Sequence, residues 1–109
     1  MTYKEITTMI AGIGLPYAYY QFAEDTGQHP PFICFFYSDN DDFVADNTNY
    51  QTIVTLNIEL YTDMKDFDTE STVETALNSA GLVFSKSETF IDSEKMHETI
   101  YTMEVVING

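Results

Sequence analysis

Between Tyr50 and Tyr61 the chain alternates with a period of two, and this run constrains the fold more than any other. Val54, Leu56, Ile58 and Leu60 fall on one side of an extended backbone, and Gln51, Thr55, Asn57 and Glu59 on the other. Such alternation predicts a long β-strand with one face in a core and the other in water. A strand of that kind needs neighbours to pair with and a layer to cover its apolar face.

Two helical segments supply that layer. Thr2 and Glu5 have the spacing of a capping box, and Ile6, Met9, Ile10 and Ile13 follow at helical intervals. Gly12 and Gly14 are expected left-handed stops, and Pro16 forbids continuation, so the helix is expected over Tyr3–Ala11. A second helix is expected after Asp66 as N-cap, with Asp68 and Glu70 in its first turn and Gly81 as C-cap. Its inner stripe is read as Val73, Leu77 and Ala80 with Phe67 or Glu70.

The remaining strands are Pro16–Phe22, Phe32–Tyr37, and a terminal hairpin of Val83–Ile91 and Lys95–Ile107 joined by Asp92-Ser93-Glu94. The unbroken apolar run Phe32–Tyr37 predicts a strand covered on both faces. Ser38–Asp42 reads as a turn cluster, and Phe43–Asp46 as a brief strand ending at an Asp46-Asn47 turn. No β-α-β rhythm is present. The expectation is a single α+β domain over residues 1–109, an antiparallel or mixed sheet with two main helices packed on one face.

Charge excludes several function classes. Eighteen Asp and Glu stand against four Lys and no Arg, a formal net charge of −14. Lys4, Lys65, Lys86 and Lys95 are scattered, whereas a phosphate backbone needs clustered cations, so direct nucleic-acid binding is not expected. No segment has the roughly 20 apolar residues of a membrane span, and no signal peptide is read at the N-terminus. A soluble cytoplasmic protein is expected.

Residues for chemistry are equally sparse. Asp39-Asn40-Asp41-Asp42 lacks the glycine and closing Glu of a calcium loop. His29 and His97 have no zinc-ligand spacing around them, and Cys34 lies among hydrophobes rather than beside a cation. Neither cofactor nor metal is expected, and no catalytic residue is assigned; the chain is expected not to be an enzyme. Two features exceed what a plain monomer needs. One is the aromatic stretch Tyr17, Tyr19, Tyr20, Phe22, which is either ordinary strand packing or a protein interface. The other is the polar excursion containing Asp39, Asp41, Asp42, Phe43, Asp46 and Tyr50, either a plain loop or a hairpin arm reaching a neighbour.

Ile13-Gly14-Leu15-Pro16-Tyr17-Ala18-Tyr19, Pro30-Pro31-Phe32-Ile33-Cys34, Ile58–Asp63 with Lys65-Asp66, and Glu88–Tyr101 together resemble short structural proteins of prophages and long-tailed phages of Gram-positive bacteria. These look like head–tail connector components of the tail terminator, or tail-completion, type. The resemblance implies an α+β subunit of a hexameric ring capping the tail tube at its head-proximal end. It further implies self-association on assembly, with a monomer in solution also compatible. Tail-tube and head-completion proteins are the implied partners, and the implied location is the virion, after assembly in the host cytoplasm. The competing expectation is an acidic DNA mimic that inhibits a host DNA-binding protein.

Overall fold

The computed structural model describes residues 1–22, 28–42 and 52–108. Helix α1 spans Tyr3–Ala11, and its capping box is formed. The Glu5 N–H donates to Thr2 Oγ1 at 3.1 Å, and the Thr2 N–H donates to Glu5 Oε1 at 2.8 Å. Of the two expected stops only Gly14 is left-handed, at φ 92°. Gly12 stays right-handed at φ −67°, because its N–H still bonds back to the Thr8 carbonyl and prolongs the last turn.

Strand β1, Tyr17–Tyr19, is shorter than the aromatic stretch that contains it. It runs parallel to β2, Phe32–Asp42, with the Ile33 N–H donating to the Pro16 carbonyl at 2.8 Å. Strand β3, Thr52–Thr62, pairs antiparallel with β2 on one side. On the other it pairs antiparallel with β5, Met96–Ile107, and β4, Ser85–Ile91, forms the far edge. The sheet is mixed, in the order β1-β2-β3-β5-β4.

Ser38–Asp42, expected as a turn cluster, is strand instead. Asn40, Asp41 and Asp42 lie opposite Val54, Ile53 and Thr52, and the register shifts between Ser38 and Asn40. Pairing with a strong neighbouring strand overrides the turn preference of Asp and Asn, and the bulge absorbs one extra residue. The brief strand expected at Phe43–Asp46 lies outside the described residues.

Helix α2, Phe67–Ser79, starts at Asp66, whose Oδ1 accepts from the Thr69 N–H at 3.1 Å. Ala80 is the C-cap and Gly81, at φ 74°, is the left-handed residue after it. The inner stripe is Glu70, Val73 and Leu77; Phe67 and Ala80 are exposed. Glu70 can be inside because the ammonium groups of Lys65 and Lys86 each lie 2.7 Å from its Oε1. The last hairpin starts two residues later than expected, at Ser85.

One buried cluster joins Ile6 and Ile10 of α1 and Val73 and Leu77 of α2 to the sheet. From the sheet come Ile33 and Phe35 of β2, Val54 to Leu60 at alternate positions of β3, and Tyr101 to Ile107 at alternate positions of β5. Register pairs such as Phe35–Ile58–Tyr101 place these on a single face, so both helices cover the same side of an α+β sheet. Ile58 sits at the centre, fully buried and flanked on both sides. Truncating Ile58→Ala is expected to lower stability by about 2–5 kcal/mol, read as a reduced urea midpoint with an unchanged m-value.

Candidate protein-interaction surface

The aromatic stretch becomes the β1 edge of the sheet. Tyr17, Tyr19 and Tyr20 are 39%, 53% and 63% exposed. Each ring leans on the next strand: Tyr19 meets Phe35 edge-on at 5.3 Å, and Tyr20 lies 5.5 Å from Phe36. Tyr20 holds this position at φ 71°, a left-handed backbone unusual for a bulky residue, and its N–H donates to the Phe35 carbonyl at 2.7 Å. Past the end of β1, the Tyr37 N–H on the edge of β2 donates to the Tyr19 hydroxyl at 3.3 Å. A side chain thus stands where a further strand residue would pair.

Phe22 turns inward, half-buried and edge-on to Phe32 at 5.4 Å. Tyr3 of α1 joins the patch from the helix layer, 44% exposed and 5.0 Å from Tyr37. Burial pushes the Tyr37 phenol up to about 12, with Tyr19 and Tyr3 adding to the effect. Sequence periodicity could not bring Tyr3 and Tyr37 to this edge, because they join Tyr19 only through the docking of α1 and β1 on β2. Asp39, Asp41 and Asp42 lie along β2 and are not gathered at the aromatic patch's β1 segment. Phe43, Asp46 and Tyr50 lie outside the described residues.

The second feature was not read from the sequence. On the face of the sheet away from the helices, the Tyr61 hydroxyl lies 3.0 Å from Glu98 Oε2 and 3.3 Å from Glu59 Oε1. Burial, then the shared hydrogen bond and repulsion from Glu98, push the Glu59 carboxyl up to about 7. Cys34 lies opposite Glu59; burial, then the charge of Glu59, raise its thiol to about 11, so it is a poor nucleophile at neutral pH.

On the helix face, Glu70, Glu88 and His97 bring ligand-type atoms within 4.8 Å of one another. That locus already holds two cations. Lys65 bridges Glu70 and Glu88, and Lys86 bridges Glu70 and Glu74. Burial raises the Glu70 carboxyl, but hydrogen bonds from both lysines outweigh it and hold the group below its ordinary range. An open notch of about 610 Å³ is lined by Thr55, Leu82, Val83, Ser85, Thr102 and Glu104 among others, with no His, Cys or Lys in its lining. None of the described helices is long and apolar enough to cross a membrane.

Glu59 binds its proton more tightly folded than unfolded, so its contribution to stability is greatest below the ordinary carboxylate range and is lost as pH rises to about 7. Denaturation at a series of pH values is expected to show this loss between about pH 4.5 and 7 in the wild type, and a flatter profile in Glu59→Gln.

No protein-family model matches the sequence, and no curated protein matches it. Among solved structures, the chain is similar to one in the "Virion of native gene transfer agent (GTA) particle", with 14% identity and a TM-score of 0.58. The match covers 93% of this chain and 84% of that one, and it is a likeness of fold.

Proposed function

We propose that this chain is a virion structural protein of the tail terminator or head–tail connector type, assembling as a ring at the head-proximal end of a tail tube. The observation that carries the reading is the fold, shared over 93% of the chain with a chain of the gene transfer agent virion. On this reading the chain acts by contact with other proteins, without catalysis, and is located in the virion.

The aromatic edge supports the reading from another direction. Ring contacts are heterologous, so one protomer must offer an adhesive surface to a different surface of the next. Tyrosines with a packed ring and an exposed rim are the residue type enriched at such contacts. Like-charged subunits meet most easily where charge is absent, and the described stretch Tyr17–Phe22 contains no Asp, Glu, Lys or Arg.

Light scattering on the purified protein, alone and mixed with the cognate tail-tube protein, tests the proposal at low and moderate salt. The expected result is a ring, or a stoichiometric complex that blocks tube growth. Exchanging Tyr17 and Tyr20 together for Ser is expected to weaken association by at least about tenfold, with a smaller fall in the urea midpoint than Ile58→Ala because both rims are exposed. A monomer indifferent to the tube protein, with salt-sensitive binding to a DNA-binding protein, would favour the DNA-mimic reading instead.

A further inference from the structure

We propose that the sheet face opposite the helices, centred on Glu59, Tyr61 and Glu98, docks a different protein through an arginine or lysine side chain set among apolar neighbours. This goes beyond the ring, which needs only copies of this chain.

The surround is aromatic. Phe22 packs on Phe32, and Phe32 stacks on Tyr61 at 4.8 Å and an interplanar angle of 21°. That row leads from Phe22, which follows β1 in the chain, to Tyr61 and the two carboxyl groups. Tyr61, Glu59, Glu98 and Ile100 are partly exposed, on the face opposite the one that both helices cover, and Phe22 packs on the neighbouring Phe32. Guanidinium and ammonium groups bind carboxylates and also lie favourably over aromatic faces, so such a side chain satisfies both halves of the surface.

The charge is uncompensated within the chain. One Tyr61 hydroxyl proton faces two carboxyl groups, and no Lys hydrogen-bonds to either among the described residues. The groups facing the pair are Cys34 from β2, Tyr61 from β3 and Thr89 from β4, across from Glu98; none is a cation. Burial, then the hydrogen bond and repulsion from Glu98, raise the Glu59 carboxyl to about 7, so the pair holds a proton part of the time near neutral pH, and an incoming cation would displace it.

A second copy is a poor source of that cation. The chain has no Arg, and Lys65 and Lys86 are engaged by three glutamates on the opposite side. Only Lys4, in the first turn of α1, and Lys95, in the β4–β5 turn, remain. The complementary occupant is a basic segment of another protein.

The test needs no virion protein and is therefore independent of the ring reading. A capped hexapeptide of alternating Leu and Arg is titrated into the full chain at moderate salt, which screens long-range attraction to the acidic surface. The ¹³C carboxyl signals of the glutamates and the aromatic signals of Tyr61 and Phe32 are followed by NMR. Shifts are expected at Glu59, Glu98, Tyr61 and Phe32, and saturating peptide should return the Glu59 titration towards the ordinary carboxylate range. Glu59→Gln with Glu98→Gln should weaken binding at least about tenfold, while Asp92→Asn with Glu94→Gln, which removes the same charge in the turn, should change it less than about twofold. Equal weakening by both double variants, an unmoved Glu59 titration, or no binding at millimolar peptide would overturn the proposal.

Discussion

The structure depends on one apolar contact layer, in which two short helices close over alternate residues of the central strand. β3 is paired on both sides along its length, so its backbone polar groups are used in the ladder and its inner side chains are free to be wholly apolar. Val54, Leu56, Ile58 and Leu60 are fully buried beneath Ile6, Ile10, Val73 and Leu77. A slip of one residue in either pairing would turn this row to solvent, which is why the register is strongly specified. The two faces then take separate roles: one is sealed by helices, and the other sets hydroxyls, amides and carboxyls among Phe32, Cys34, Phe36 and Ile100.

Charge is distributed on the same plan. A net charge of −14 works against compaction, and four lysines cannot neutralise it. Two of them converge on Glu70, the one buried carboxylate among the described residues. Glu70 without Lys65 and Lys86 would be a buried, uncompensated charge; with them it ties the first turn of α2 to β4. The Tyr101 hydroxyl adds a bond to Glu74 Oε2 at 2.9 Å on the same side. No such cation sits beside the carboxyls of the open face among the described residues, and there burial, then Glu98, raise the Glu59 carboxyl to about 7.

Local signals made much of this legible. The capping box at Thr2 and Glu5, the period-two run of β3 and the Asp66 N-cap each rest on chemistry within a few residues, and each is realised in the fold. What failed depended on distant partners. Asn40 to Asp42 carry turn-forming side chains and become strand because Thr52 to Val54 lie opposite. Of the two choices for the inner stripe of α2, Glu70 rather than Phe67 is inside, because its counter-charges come from Lys65, just before α2, and Lys86, in β4. The same distinction applies to the interaction surfaces. Tyr17, Tyr19 and Tyr20 are adjacent in sequence and were found together, whereas Glu59 and Glu98 become neighbours only through the β3–β5 register.

Those two surfaces solve different electrostatic problems. Copies of an acidic chain repel each other, so contact between them is favoured where the surface is adhesive and uncharged; the tyrosine edge has that character. A carboxyl pair with no cation beside it is the reverse, poor for contact with another copy and favourable for a basic partner. On the proposed reading, the edge therefore joins like to like and the open face joins unlike to unlike. A ring of such subunits would repeat both surfaces once per copy.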